Sequence, residues 1–190
     1  MRKGKLLVIS GPSGVGKGTL INKVLPRLER TCLARSATTR SRRQHEQDGR
    51  EYFFLSREEF EKRARRGDFI EHVSYGSNLY GTLRSEVERN LESGRNVILE
   101  IEVEGAMAVR HQMPEAVLFF IAPPSFDELR KRLIGRDTEI SAEIETRLAR
   151  AGEELALQDK FDYIVINDDI DRAADELEQK IMTCLEGGKT

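Results

Sequence analysis

Short apolar runs alternate with longer amphipathic stretches along the chain. Residues 6–9, 97–101, 117–121 and 163–166 are rich in Val, Ile, Leu and Phe and lack the polar alternation of a half-exposed strand. Such runs predict strands buried on both faces, as in a parallel sheet that is covered by helices. A further strand is predicted at residues 33–36. The pattern therefore predicts the α/β fold class.

Apolar residues at helical spacing fill the intervals between these strands. Ser56 and Glu59 form a capping-box pattern at the start of one short helix, and Gly67 is placed to end it. Ser125 is placed to cap another helix. Beyond the first of these, the predicted helices cover residues 19–28, 126–134, 142–157 and 173–185.

Two β-rich segments, at residues 52–55 and 69–75, interrupt the alternation of strands and helices. Both lie among Gly, Asn and charged residues, and no repeat or low-complexity linker separates them from the rest of the chain. We therefore expect a small β-rich lobe inserted into a single domain of 190 residues.

Composition and charge exclude several classes of protein. With 38% hydrophobic and 34% charged residues the chain is typical of a globular domain, and its net charge of −2 gives no general attraction to nucleic acids or anionic membranes. Residues 35–50 are basic but lack the interleaved aromatics of a nucleic-acid surface. The first apolar run, residues 6–9, is shorter than the ~7 to 15 residues of a signal-peptide core, and the longest, residues 116–122, is shorter than the ~20 of a membrane span. With two distant cysteines, Cys32 and Cys184, we expect a cytoplasmic protein with no nucleic-acid or membrane partner.

A glycine-rich segment ending in lysine follows the first predicted strand and leads into a predicted helix. This is the context in which a phosphate loop forms, because glycines let backbone N–H groups surround phosphate oxygens and the helix start adds positive potential. A glycine-rich turn with a surface lysine is the alternative interpretation. The candidate residues for binding a nucleoside triphosphate are Gly11, Pro12, Ser13, Gly14, Val15, Gly16, Lys17, Gly18 and Thr19.

One residue of this loop departs from the usual motif. The motif has Ser or Thr directly after the lysine as a Mg²⁺ ligand, but Gly18 occupies that position and Thr19 comes next. Thr19 is rotated by about 100° around the helix. We therefore expect Mg²⁺ to be held mainly through phosphate oxygens and water, with Thr19 and a carboxylate elsewhere as candidate protein ligands.

The segment 38–43 concentrates arginines and hydroxyl side chains and could bind a second phosphate. Taken alone, it is also explained as a solvated basic loop. Together with residues that follow it along the chain, this segment forms an ordered set that resembles the GMP-binding lobe of guanylate kinases. The matching residues are Ser36, Thr38, Thr39, Arg40, Arg43, Tyr52, Phe69, Ile70, Glu71, Tyr80, Gly81 and Thr82.

The resemblance extends over almost the whole chain through the segments 121–125, 131–133, 135–136, 147–148 and 166–169. It implies a phosphate-loop parallel sheet with flanking helices, an inserted β-rich GMP-binding lobe and a helical lid. It also implies the reaction of ATP with GMP, dependent on Mg²⁺, to give ADP and GDP. The division that follows assigns residues 1–35, 85–124 and 160–190 to the core, 36–84 to the GMP-binding lobe and 125–159 to the lid.

The chemistry of guanine explains two of the matching residues. Guanine presents N1–H and 2-amino donors beside an O6 acceptor, so Glu71 can accept both donors while Thr82 donates to O6. Adenine would present a lone pair to the same carboxylate. By resemblance, GMP is bound by Ser36, Arg40, Arg43, Tyr52, Glu71, Tyr80, Thr82, Glu100 and Glu102.

Two carboxylates, Glu100 and Glu102, end the predicted strand at residues 97–101, where ligands bind in open α/β sheets. The similar kinases usually have Asp-x-Asp at this place, and each side chain here is one methylene longer. The resemblance implies either a water-mediated metal contact, with Glu100 as the candidate, or support of the guanine pocket. An exposed acidic strand end is the alternative.

Arginines on two predicted helices resemble those that close over the triphosphate in similar kinases. Arg132 and Arg136 with Asn167 are implied in ATP binding, although any single arginine is also explained as surface charge. The catalytic residues implied are Lys17, Arg43, Arg136 and Arg147, because phosphoryl transfer depends on stabilising charge on the equatorial oxygens.

Two other functions are compatible with parts of this pattern. An interaction module of similar fold would bind a phosphorylated or acidic peptide without needing Lys17. A kinase acting on another phosphorylated acceptor would lack the guanine-reading pair Glu71 and Thr82. Because the chain has all three residues, the sequence favours the GMP kinase.

Overall fold

The parallel strands predicted from the apolar runs are present in the computed structural model, which describes residues 2–134 and 141–187. The chain divides into two compact units. The first consists of Met1–Leu6, Arg30–Leu99 and Glu104–Ala116. The second consists of Leu7–Glu29, Glu100–Val103 and Val117–Thr190.

Parallel strands of the first unit are β2 (Thr31–Leu33) and β7 (Asn96–Glu100), which pair with Thr31 opposite Asn96. Helices α3 (Arg84–Glu92) and α4 (Val103–Gln112) belong largely to the same unit. The inner positions of β7, including Ile98, are completely buried, as expected of a strand covered on both faces.

The first unit also contains a four-stranded sheet. Its strands are β3 (Ser36–Thr38), β4 (Phe53–Phe54), β5 (Phe69–Tyr75) and β6 (Asn78–Leu83). They lie in the order β4-β3-β6-β5. β6 pairs antiparallel with both β3 and β5. One face of this sheet packs against α2 (Arg57–Arg65) through a cluster of Ala37, Phe60, Phe69 and Leu83.

The second unit is built on the parallel strands β1 (Leu6–Ser10), β8 (Val117–Ala122) and β9 (Tyr163–Ile166), with β8 in the middle. Helices α1 (Lys17–Val24) and α7 (Ile170–Glu186) contact each other, and α7 contacts β9. Helices α5 (Phe126–Ile134) and α6 (Ser141–Leu155) also contact each other. Among the described residues, no helix combines the length and the apolar character needed to cross a bilayer.

Most of the predicted elements are confirmed, with two corrections. The predicted strand at residues 33–36 is wrong, because β2 ends at Leu33 and a separate strand, β3, starts at Ser36 in the other sheet. The predicted helix 19–28 starts earlier, at Lys17, and its regular part ends at Val24, where a 3₁₀ turn containing a proline follows. Proline lacks the N–H that a continuing helix needs.

Candidate functional site

The loop between β1 and α1 has the backbone that a phosphate loop requires. Gly16 lies in the left-handed region, with φ of 97°, at the start of α1. A Cβ atom there would lie 2.7 Å from Nδ2 of Asn167, so only glycine fits. The same Nδ2 donates a hydrogen bond to the carbonyl oxygen of Val15 at 2.7 Å. Asn167 therefore holds the loop to the end of β9.

Lys17 is the first residue of α1, and its side chain is folded over the loop. Its Nζ atom donates to the carbonyl oxygens of Gly11 at 2.5 Å and Pro12 at 3.2 Å. The residue is only 9% exposed. The loop thus holds an ammonium group at the helix start, where an anion also gains from the positive end of the helix dipole.

A cavity of about 320 Å³ lies at this helix start in the second unit. Glycine backbone, hydroxyl groups and the lysine provide donors for phosphate oxygens, while two carboxylates provide ligands for a hard cation. The lining residues are Ser13, Gly14, Gly16, Lys17, Gly18, Thr19, Glu100 and Glu102. The structure therefore brings the predicted triphosphate residues and the predicted acidic pair together.

Gly18 and Glu100 make a close approach in this cavity. A Cβ atom on Gly18 would lie 3.2 Å from Oε1 and 3.6 Å from Oε2 of Glu100. Burial raises the pKa of the Glu100 carboxyl, the positive charge of Lys17 lowers it, and Glu102 raises it. The carboxylate therefore stands beside the loop lysine and directly over the residue that replaces the usual Ser or Thr.

The donor set of the cavity fits Mg²⁺ provided that phosphate oxygens and water complete the coordination. Carboxylate and hydroxyl oxygens are hard ligands, and Mg²⁺ in nucleotide sites commonly uses one or two carboxylates with phosphates and water. Among the residues that the structure describes, no cluster of three His, Cys, Asp or Glu side chains could hold a metal ion by itself.

One acidic residue near this cavity was not predicted from the sequence. Glu154 of α6 is buried and accepts a hydrogen bond from Nε of Arg150 at 3.1 Å. Burial and the charge of Glu102 raise its pKa, while Arg150 and Lys17 lower it. Glu154 comes seven residues after Arg147, and a glutamate at that spacing is common on the surface of any helix. The sequence therefore contains no sign that Glu154 lies near the cavity.

Two of the three predicted lid arginines lie at the loop or at the neighbouring strand end. Nη2 of Arg147 donates to Oγ of Ser13 at 3.3 Å, which connects α6 with the phosphate loop. Nη1 of Arg132 donates to the carbonyl oxygen of Asn167 at 3.0 Å. Arg136 lies outside the described residues.

The predicted guanine-reading residues form one row across the four-stranded sheet of the first unit. Ser36 of β3 is paired with Thr82 of β6, and Thr82 is paired with Glu71 of β5. Residues directly opposite each other in antiparallel strands project from the same face. Ala37 and Leu83, the chain neighbours of Ser36 and Thr82, face the α2 cluster instead. The row therefore lies on the face of the sheet opposite α2.

A β-bulge places Glu71 in this row. Phe69 pairs with Leu83, but the register shifts so that Glu71, rather than Ile70, pairs with Thr82. Oγ1 of Thr82 donates to Oε1 of Glu71 at 2.7 Å. Burial raises the pKa of Glu71 to about 7, although its hydrogen bonds with Thr82 act in the opposite direction. The residue is only 4% exposed.

Arg40, which follows β3, is oriented by a carboxylate that was also not predicted. Its Nη1 and Nη2 donate to the two carboxylate oxygens of Glu46 at 3.1 and 2.7 Å. The backbone N–H of Arg43 donates to the same carboxylate at 2.8 Å. These hydrogen bonds lower the pKa of Glu46 to about 2. Glu46 thus fixes the guanidinium of Arg40 and the backbone, though not the side chain, of Arg43.

Two tyrosines lie beside the Arg40 guanidinium. Its central carbon is 5.5 Å from the ring centre of Tyr52, within the range of a cation–π contact. The rings of Tyr52 and Tyr80 meet edge to face with their centres 6.3 Å apart. The first unit therefore places Ser36, Glu71 and Thr82 in one row and Arg40, Tyr52 and Tyr80 in one cluster, with the backbone of Arg43 bound to the same Glu46 as Arg40.

Comparison with known proteins identifies close relatives of the chain. The family model described as guanylate kinase matches residues 3–184. The guanylate kinase of Rubrobacter xylanophilus is 50% identical over 188 residues, which cover 99% of this chain and 98% of the relative. That of Thermotoga maritima is 46% identical over 173 residues, covering 91% and 84%. The crystal structure of guanylate kinase from Anaplasma phagocytophilum aligns with a TM-score of 0.77 at 34% identity, covering 97% and 87%.

Proposed function

The chain belongs to the guanylate kinase family, which transfers phosphate from ATP to GMP to form GDP, and we propose that its phosphate loop binds ATP and its four-stranded sheet binds GMP. The observation that carries the second assignment is the buried carboxyl of Glu71 in a row with Thr82 and Ser36. The Glu71 carboxyl offers acceptors for the N1–H and 2-amino groups of guanine. Because the Thr82 hydroxyl donates to Glu71, the hydroxyl of Ser36 is assigned as the donor for O6.

For ATP, the proposal assigns the phosphates to the cavity in front of α1. The loop N–H groups and the helix start bind the β-phosphate region, and Lys17 turns from the loop carbonyls to the transferring phosphoryl group. Asn167 keeps the loop in shape through its bond to Val15. Thr19 and Glu100 are the candidate ligands of Mg²⁺, and Glu102 is assigned to support either the metal site or the guanine pocket.

For GMP, the proposal assigns the phosphate to Arg40, Arg43, Tyr52 and Tyr80. Two guanidinium groups offset much of the charge of a phosphate dianion, and the tyrosine hydroxyls supply neutral donors. Glu46 binds one edge of the Arg40 guanidinium, so that its remaining donors are held in a fixed direction. A preorganised cation loses less side-chain entropy when the phosphate binds.

In the proposed reaction a GMP phosphate oxygen attacks the γ-phosphorus of ATP, and the bond to the leaving ADP oxygen breaks. Lys17, Arg43, Arg136 and Arg147 stabilise the charge on the transferred group, which is the main contribution a protein makes to this chemistry. Mg²⁺, when bound, neutralises charge on the β- and γ-phosphate oxygens. The division into core, GMP-binding lobe and lid follows the same assignment. We place the reaction in the cytoplasm, where both nucleotides are available.

A coupled assay of ADP release tests this function with GMP, AMP, UMP and CMP as acceptors. Because Glu71 would face a lone pair in adenine, GMP is expected to exceed each other acceptor by about 10²-fold or more in kcat/KM. Equal rates with AMP and GMP would contradict the assignment of the guanine row. A phosphopeptide-binding module of this fold would release no ADP with any acceptor.

Replacing Glu46 by Gln is expected to raise the KM for GMP about tenfold and to change kcat by less than about threefold. The amide keeps the size of the side chain but loses the charge that holds Arg40 and the N–H of Arg43. Steady-state kinetics with varied GMP at saturating ATP measure the effect.

Glu59→Gln is the matched control, because Glu59 also pairs with an arginine, Arg63, at 2.7 Å, on a half-buried helix face of the same unit. Its KM for GMP should equal that of the wild type. An unchanged KM in Glu46→Gln would show that Glu46 does not position the arginines.

A further inference from the structure

Gly18, which occupies the usual hydroxyl position of the phosphate loop, lies against the side chain of Glu100. The position after the loop lysine normally supplies a Ser or Thr oxygen to Mg²⁺. Here the Glu100 carboxylate lies 3.2 Å, through Oε1, from the place where a Cβ atom of residue 18 would stand. The space beyond that Cβ atom, where a hydroxyl would lie, borders directly on the carboxylate.

The contact is tight enough to make the two positions dependent on each other. A separation of 3.2 Å between a carbon and a carboxylate oxygen is shorter than ordinary van der Waals contact, so a side chain on residue 18 would push Glu100 away. Conversely, shortening Glu100 by one methylene would withdraw its oxygens from the space over Gly18. A Cβ atom at position 18 would thus require Glu100 to move by a few tenths of an ångström, which couples the two positions.

The carboxylate lies in the same cavity as the phosphate loop. Glu100 shares the cavity with Lys17 and with the start of α1, where the phosphates of ATP are proposed to bind. Its oxygens are hard ligands, and they lie on the side of the loop from which the usual hydroxyl would reach the metal. Thr19, the next hydroxyl residue, lies one helical position further around.

We propose that Gly18 and Glu100 form a matched pair in which the Glu100 carboxylate replaces the hydroxyl of the usual loop residue as the protein ligand of ATP-bound Mg²⁺. Gly18 is present because it leaves room for that carboxylate. The proposal rests on the proposed function in one respect, namely that the cavity holds the phosphates of ATP. It predicts that Ser at position 18 works only with the shorter Asp at position 100.

A double-mutant cycle tests the pair through metal binding rather than turnover. The wild type, Gly18→Ser, Glu100→Asp and the double variant are titrated with Mn²⁺ in the presence of a non-hydrolysable ATP analogue, and free Mn²⁺ is measured by electron paramagnetic resonance. Each single variant is expected to bind Mn²⁺ about tenfold more weakly than the wild type. The double variant is expected to recover to within about threefold of the wild type. Losses that simply multiply in the double variant would overturn the pairing.

Glu100→Gln separates a metal ligand from a residue that only fills space, because it keeps the length and loses the charge. It is expected to bind Mn²⁺ about tenfold more weakly or worse, and wild-type affinity in this variant would overturn the proposal. Binding of the ATP analogue without metal is measured for every protein. If the wild type itself fails to bind the analogue, the assignment of the cavity to ATP is wrong. If it binds while the cycle is additive, only the pairing is wrong.

Discussion

Lys17→Ala is expected to lower the turnover of GMP by about 10³-fold or more while leaving GMP binding within about twofold of the wild type. In the structure the ammonium group is held at the start of α1 by the carbonyl oxygens of Gly11 and Pro12. Lys17 is the one lysine among the residues that line this cavity, and the neighbouring Arg147 is directed at Ser13 instead. Single-turnover transfer from labelled ATP and calorimetric titration with GMP separate the two effects.

Two further variants make the result specific. Lys17→Met keeps most of the apolar stem and loses only the charge, so it should be as inactive as Lys17→Ala even if the alanine variant loosens the loop. Lys23→Ala removes a lysine from the same helix that pairs with Asp171 on the exposed surface. It should retain wild-type turnover, because exposed pairs contribute little. More than a tenth of wild-type turnover in Lys17→Met would contradict the assigned role.

Capping residues and buried strands were readable from the sequence because their signals are local. Oγ of Ser56 accepts from the N–H of Glu59, and Oγ of Ser125 accepts from the N–H of Glu128, as the capping pattern predicted. By contrast, α3 was not predicted. It starts after Leu83, which provides no side-chain cap, so its start has no local signal. The sequence therefore predicts the start of a helix where a capping side chain is present, and fails where it is absent.

The change of sheet between β2 and β3 could not be read from local patterns. Residues 33–36 appear as one apolar-to-polar run, yet Leu33 pairs with Ile98 of the parallel strand β7, whereas Ser36 pairs with Thr82 of an antiparallel strand. The partner of each residue is distant in sequence. Pairing of this kind depends on tertiary structure, which propensity does not describe.

The candidate site shows the same division between local and long-range information. The phosphate loop is contiguous in sequence, and its context predicted it. The acceptor residues were recognised by resemblance, but the reason that Glu71 reaches Thr82 is a bulge after Phe69, which has no sequence signal. Glu46 was missed because an acidic residue within a basic stretch has no periodic pattern, although it holds Arg40 and the N–H of Arg43.

The bulge has an energetic cost, because the ionisable group that it places in the row is buried. The pKa of Glu71 in the folded protein, about 7, lies above its ordinary value of 4.5. The stability associated with the neutral carboxyl is therefore fully present below about pH 4.5 and is lost as the pH rises through about 7. The amide of Glu71→Gln stays neutral. At about pH 8 this variant is expected to have a free energy of unfolding roughly a few kcal/mol higher than the wild type, and therefore a higher unfolding temperature.

The same substitution is expected to lower kcat/KM for GMP by about 10² to 10³-fold, because the amide turns a donor towards the donors of guanine. In the wild type, the KM for GMP should rise as the pH falls from about 8 to about 6, since protonation of Glu71 removes an acceptor. Glu71→Gln should lack that part of the pH dependence, while protonation of the GMP phosphate affects both proteins equally. Kinetics across this pH range measure the loss of kcat/KM for GMP, and thermal unfolding of both proteins measures the gain in stability. A gain in stability with unchanged use of GMP would show that Glu71 does not bind guanine.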